Sequence, residues 1–137
     1  TSAIVKNEFV DDSAYATVQE IFKSTGSVHE IAEKDFSTFA AIAGSSPAFI
    51  YMFIDAMARA GVLHGIPKDQ ATAIVAETVR ASAEMILQSG ENPWSLVDKV
   101  SSPGGTTVAG VVSLEQNHFI ATVIDAISAT IEKEKNL

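Results

Sequence analysis

Ser102, Pro103, Gly104, Gly105, Thr106 and Thr107 set two adjacent glycines between hydroxyl residues, at a point where the following residues read as the start of a helix. That arrangement suits an anion. The first turn of a helix carries backbone N–H groups with no intrahelical acceptor, and the helix dipole places partial positive charge at the same end. Glycines let a carboxylate or phosphate approach those donors, and the hydroxyls supply further ones. A second cluster, Ser45, Ser46 and Pro47 after Gly44, reads from local sequence as a helix cap with proline at the first position. The other candidates are weaker. His29, His64 and His118 share no metal-ligand spacing and no His-Glu-x-x-His pattern occurs, so no metal site is expected. Glu77 and Glu84 lie a heptad apart with Arg80 between them at helical contact spacing, which describes a solvated ion-pair face. No Ser-His-Asp set or P-loop can be assembled. No Gly-x-Gly-x-x-Gly follows a strand, so residues that would cradle a dinucleotide pyrophosphate are missing from this sequence.

The elements that must position these residues are mainly helices. Ala3, Ile4 and Val5, with Phe9 and Val10, read as a short strand, and Asp11, Asp12 and Ser13 offer caps for the helix after it. Tyr15, Val18, Ile21 and Phe22 recur at helical spacing as far as Gly26, and Ser27 to Ile31 alternates as a second strand. From Glu33 onward only helices are expected. The first runs from Lys34 to Ala43 and is stopped by Gly44. Pro47 opens the next, which Gly61 and Gly65 break, and Pro67 starts a third with Ala71, Ile74, Val75, Thr78, Ser82, Met85 and Ile86 on one stripe. Gly90 ends that helix and Pro93 opens a short one before the Ser-Pro-Gly-Gly turn. Val108, Val111, Val112 and Leu114 then lead to a final helix with an apolar seam at Ile120, Ile124, Ile127 and Ile131.

Composition sets bounds on function. At 137 residues the chain has room for one core, and a 47% hydrophobic content with few aromatics and many alanines implies helices packed closely through small side chains. A formal net charge of −8 argues against nucleic acid as a partner, because phosphate neutralisation needs clustered Lys and Arg. The absence of cysteine excludes disulfides and thiolate metal sites and fits a reducing cytoplasm. The apolar run from Phe36 to Ala60 is expected to be too interrupted, by Gly44 to Pro47 and by Asp55 and Arg59, to make a simple membrane span. No basic segment precedes an apolar stretch at the start, so no signal peptide is expected. The helices carry more apolar face than a small domain hides, which makes self-association the natural outlet.

In order and surroundings, Ser102-Pro103-Gly104-Gly105-Thr106-Thr107 resembles the substrate loop of the pyrroline-5-carboxylate reductases, which make proline by reducing a cyclic imine with a nicotinamide cofactor. Upstream, Gly44-Ser45-Ser46-Pro47-Ala48-Phe49 is similar to that family's Gly-Ser-Gly-Pro-Ala-aromatic segment, with Ser46 in place of a glycine. Gly61-Val62, Gly65-Ile66-Pro67, Asn92-Pro93 and Val97 also fall where the family has similar residues. The resemblance covers roughly Thr1 to Gln116. It implies a mainly α, multi-helix dimerisation domain of the 6-phosphogluconate dehydrogenase C-terminal type over 33–137. Ahead of it, 1–32 would be a strand-helix-strand remnant closing an NAD(P)-binding Rossmann domain. By the same resemblance Ser102 and the N–H groups of Gly105 and Thr106 hold the carboxylate of 1-pyrroline-5-carboxylate, and Thr107 faces the ring nitrogen as the catalytic hydroxyl. Ser45, Ser46 and Pro47 lie beside the nicotinamide of NADPH or NADH, which a missing domain mainly binds. The expected partners are that small-molecule substrate and a second copy in a homodimer or larger homo-oligomer, with neither nucleic acid nor membrane. The chain by itself is expected to be inactive. The rival reading is a non-enzymatic helical dimerisation module or a reductase-like regulatory protein, and an upstream glycine-rich strand-turn-helix in the parent reading frame would argue against it. On local sequence alone, Thr107 reads equally well as a helix N-terminal cap.

Overall fold

A computed structural model describes residues 1–136, and Leu137, the last residue of the expected helical domain, lies outside the described residues. The order is β1 (Ser2–Ile4), α1 (Asp12–Lys23), β2 (Val28–Glu30), a 3-10 turn (Glu33–Asp35), α2 (Phe36–Phe39), a π-helical turn (Ala40–Ser45), α3 (Ser46–Leu63), α4 (Lys68–Ser89), α5 (Pro93–Val100), α6 (Thr106–Gln116) and α7 (Phe119–Glu134). Two compact units emerge, one made of Thr1–Pro47 with the stretch from Ala126 onward, the other of Ala48–Asp125.

In the first unit the expected strand-helix-strand is present. β1 and β2 pair in parallel with Ser2 opposite Val28, Ala3 opposite His29 and Ile4 opposite Glu30. Asp11 caps α1 by accepting from the Ala14 N–H at 2.8 Å. Phe9 and Val10 do not extend the first strand. The Asn7 side chain accepts from the Phe9 N–H at 3.1 Å and the Asn7 carbonyl from the Val10 N–H at 3.4 Å, so a local turn replaces extended backbone. Phe9 is left 87% exposed.

Gly44 does not stop a helix. Helical backbone continues through Gly44, Ser45, Ser46 and Pro47, and the run Glu33–Leu63 is long and apolar enough, by length and composition, to cross a membrane. The expected interruption fails for a physical reason. Proline inside an α-helix removes one N–H and presses its ring on the carbonyl four residues back. Here the turn ahead of Pro47 is widened to π geometry, in which the Ser46 N–H reaches the Ala41 carbonyl five residues back, so the ring is accommodated without ending the helix.

In the second unit α3 and α4 meet through small residues, as the alanine-rich composition implied. Ala58 and Ala71 are buried, and a side chain on Gly61 would come within 3.1 Å of the Ala71 Cβ. Asp55 of α3 pairs with Lys68 at the start of α4 and with Arg59 at 2.6 Å. These two cations hold its carboxyl below the usual range, Lys68 contributing most. Gly90, at φ +64°, closes α4 by donating to the Ile86 carbonyl. The Asn92 side chain caps α5 on the Trp94 N–H at 2.9 Å, with Pro93 in the first helical position as expected. Between α6 and α7 the chain turns at His118, a non-glycine residue at φ +58°. The Phe53 and Phe119 rings lie 5.9 Å apart in a tilted pair. Among the described residues, buried apolar side chains number only Ile4, Ala41, Ala58, Ala71 and Val75, while Leu63, Leu87, Met52 and Tyr51 are largely in solvent.

Candidate functional site

The segment ahead of α6 is built by its proline and glycines. Pro103 fixes φ at the second position of a four-residue turn, Gly104 takes φ +69° at the third, and the Gly105 N–H donates back to the Ser102 carbonyl at 2.9 Å. Proline followed by a left-handed glycine is the signature of a type II turn. Gly105, with extended φ −79° and ψ 169°, is then the N-cap of the eleven-residue α6, and no side chain caps that helix. The Gly105 carbonyl accepts from Ala109, so the N–H groups of Thr106, Thr107 and Val108 open the helix without an acceptor among the described residues.

The hydroxyls follow the same pattern. Ser102, Thr106 and Thr107 are exposed, and none of their hydroxyl oxygens has a hydrogen-bond partner among the described residues. Thr107 therefore does not cap α6. The structure thus brings together three hydroxyls and three unengaged N–H groups at one helix N-terminus, where the dipole favours negative charge. Gly105 differs from the sequence expectation in one respect, because the turn itself takes its N–H. Sequence reading also missed Ser101, just before this turn, whose Oγ is buried with no hydrogen-bond partner among the described residues. The doubled serine at Ser101-Ser102 was the available signal, but alternation alone does not say which of two hydroxyls turns inward.

The other predicted cluster is organised differently. Ser46 Oγ donates to the Ala41 carbonyl at 2.9 Å, the same oxygen that receives the Ser46 N–H. Ser45 is exposed at the end of the π turn and Pro47 in the first turn of α3, and a Cβ on Gly44 would meet nothing within 4 Å. π turns recur at functional positions because they turn a helix face and leave backbone groups with altered partners. Glu84 accepts from Arg80 at 3.2 Å and from Gln88 at 2.8 Å, the solvated ion-pair face expected of it. Among the described residues no group of His, Asp and Glu could hold a metal ion.

Residues 33–137 match the family model described as pyrroline-5-carboxylate reductase dimerisation. The chain belongs to that family. The pyrroline-5-carboxylate reductase of Escherichia coli is 42% identical over 136 residues, which is 99% of this chain and 51% of the relative. Among solved structures, 1-pyrroline-5-carboxylate reductase from Streptococcus pyogenes superposes with a TM-score of 0.92 at 49% identity, covering 99% of this chain and 53% of the other. Pyrroline carboxylate reductase from Plasmodium falciparum, solved with NADP bound, gives 0.87 at 38% identity, over 98% and 52%. The chain spans about half the length of the reductases it matches, and corresponds to their C-terminal half. The mainly helical fold with a strand-helix-strand at its start, expected from the resemblance, is the fold of these reductases, and its two strands pair in parallel.

Proposed function

We propose that this chain is the dimerisation and substrate-binding part of a pyrroline-5-carboxylate reductase that converts 1-pyrroline-5-carboxylate to L-proline with NADPH or NADH. The observation that carries the reading is the set of unengaged donors at the start of α6, found in a chain whose family reduces this imine. Residues 33–137 form the helical domain, and 1–32 the end of the nucleotide-binding domain. The substrate carboxylate sits on Ser102 Oγ and the Thr106 N–H, close to the Gly105 backbone, in the positive field of the helix end.

When bound, the reduced nicotinamide supplies the hydride that arrives at the imine carbon. Electron density then moves to the ring nitrogen, which must be hydrogen-bonded or protonated, and the Thr107 hydroxyl is the donor placed for it. An alkyl hydroxyl is too weak an acid to deliver the proton unaided, so Thr107 orients the imine or relays a proton from water. Ser45 and Pro47 fit the nicotinamide end because they stand exposed where the π turn passes into α3. Ser46 leaves that approach clear, since its hydroxyl is turned back onto Ala41. The pyrophosphate cradle belongs to sequence outside this chain, and Ser102, Thr106 and Thr107 are open to water here. Charge stabilisation of this kind needs a dry, preorganised site, so the chain alone is inactive.

The exposed apolar faces supply the dimer. A groove of about 500 Å³ between α4 and α5, lined by Met85, Ile86, Pro93, Leu96 and Val100, and the seam from Ile120 to Ile131 are surface that a second copy covers. A soluble, cytoplasmic homodimer or larger homo-oligomer is the expected state, with neither membrane nor nucleic acid as partner. The test joins this segment to its nucleotide-binding domain and measures NAD(P)H oxidation with 1-pyrroline-5-carboxylate, alongside light scattering of the helical segment at micromolar concentration. Turnover by the joined protein and a dimeric mass support the reading. A folded, dimeric joined protein with no turnover hands the case to the rival dimerisation module, and a monomeric mass removes the dimer.

A further inference from the structure

Gly104 and Gly105 are adjacent, yet the structure demands glycine at the two positions for different reasons. Gly104 sits at φ +69°, a conformation that L side chains rarely adopt. Gly105 does not, because its φ of −79° and ψ of 169° are open to any residue. Space is what excludes a side chain there. A Cβ on Gly105 would lie 2.4 Å from Ser102 Oγ, 3.0 Å from the Ser102 carbonyl oxygen and 3.6 Å from the Ser102 Cβ. The carbonyl is held in place by the turn hydrogen bond it accepts from Gly105 at 2.9 Å. The hydroxyl is the atom that can yield, by rotation about one bond.

We propose that Gly105 is a positioning residue for Ser102: the missing Cβ leaves the space in which the Ser102 hydroxyl stands against the N-cap of α6. The proposal rests on the carboxylate reading of Ser102 given above. It differs from a donor role for Gly105, whose N–H is already committed to the turn. A methyl group at 105 would drive Ser102 Oγ into another rotamer while leaving every backbone N–H present. Its effect on binding should therefore be the effect of losing the Ser102 hydroxyl, and should vanish once that hydroxyl is gone.

The experiment is a double-mutant cycle in the full-length reductase. It compares Gly105→Ala, Ser102→Ala and the pair, reading KM for 1-pyrroline-5-carboxylate, kcat, the Kd of L-proline by calorimetry, and melting temperature. Losing a hydrogen bond to a carboxylate should raise KM and the proline Kd by about tenfold or more in each single variant, with kcat changed far less. The double variant should bind no more weakly than either single one. Should Gly105→Ala fold poorly, the pair carries the test, because the methyl no longer meets a hydroxyl and the pair should melt near Ser102→Ala. Penalties that multiply in the double variant, or wild-type proline affinity in Gly105→Ala beside a tenfold loss in Ser102→Ala, overturn the positioning role alone. An unchanged proline Kd in Ser102→Ala overturns the carboxylate reading beneath it.

Discussion

Two segments rich in serine, glycine and proline lead into helices in this chain, and the hydroxyls of Ser46 and Ser102 end in opposite states. At Ala40–Pro47 the proline lies within a continuing helix, the turn widens to π geometry, and the Ser46 hydroxyl joins its own N–H on the Ala41 carbonyl. At Ser102–Thr107 the proline occupies the second position of a turn that lies outside any helix. The backbone there satisfies itself through Gly105 and Ser102, and the hydroxyls of Ser102, Thr106 and Thr107 are left without partners. The lesson concerns where proline falls relative to the helix. Proline in mid-helix removes a backbone donor and the turn ahead of it widens, whereas proline at the second position of a turn removes nothing the turn needs. The serine just before the proline is engaged in the first arrangement and free for a ligand in the second.

Thr107→Val breaks this comparison most sharply, since it keeps the shape and removes the hydroxyl. In the full-length reductase it should lower turnover by about 30-fold to 1000-fold, the worth of a donor aimed at developing charge, about 2 to 4 kcal/mol. Its melting temperature should stay near wild type because the hydroxyl holds nothing in the fold. Wild-type turnover with an earlier melt would reverse the assignment and make Thr107 a structural residue like Ser46.

Ser102→Ala comes next in size. The carboxylate is held in both the ground and transition states, so KM should rise about tenfold while kcat changes little. Steady-state kinetics checks this, and a loss confined to kcat would place Ser102 at the reacting atoms instead of at the carboxylate.

Ser46→Ala should give the opposite pattern to Thr107→Val. Removing one donor from the Ala41 carbonyl should cost about 0.5 to 1.5 kcal/mol of stability, read by chemical denaturation, with turnover close to wild type. If Ser46→Ala instead keeps full stability and raises KM for the nicotinamide cofactor, its hydroxyl faces the ligand and the contrast between the two segments fails.

The smallest effect is electrostatic and serves as a control away from both segments. Lys68 and Arg59 hold the Asp55 carboxyl below its ordinary value in the folded chain. A depressed carboxylate stabilises the fold above the unfolded-state value and loses that contribution as pH falls through the folded-state value. Asp55→Asn should therefore melt slightly earlier than wild type near pH 7, and the gap should close in strong acid. Because the pair is solvent-facing, the effect should also shrink in high salt. A gap that is constant from pH 7 to pH 2 would mean that Asp55 acts through packing or hydrogen bonding instead of charge.

Much of this molecule was legible in its residue order because local chemistry decides local structure. Asp11, Pro93 and Gly90 marked helix ends that the structure keeps. The Ser-Pro-Gly-Gly turn and its position ahead of α6 followed from the same kind of signal, and so did the excess of apolar face. Tertiary context decided the rest. Gly44 read as a stop, but glycine and proline end a helix only when nothing repairs the backbone, and the Ala41 carbonyl with Ser46 supplies that repair five residues away. The turn at His118 has neither glycine nor proline to announce it. Whether a hydroxyl is a cap, a latch or a free donor was equally undetermined, since serine and threonine can be any of these. That choice depends on which acceptors the folded backbone brings within about 3 Å, and distances between residues that are not sequence neighbours exist only once the chain has folded.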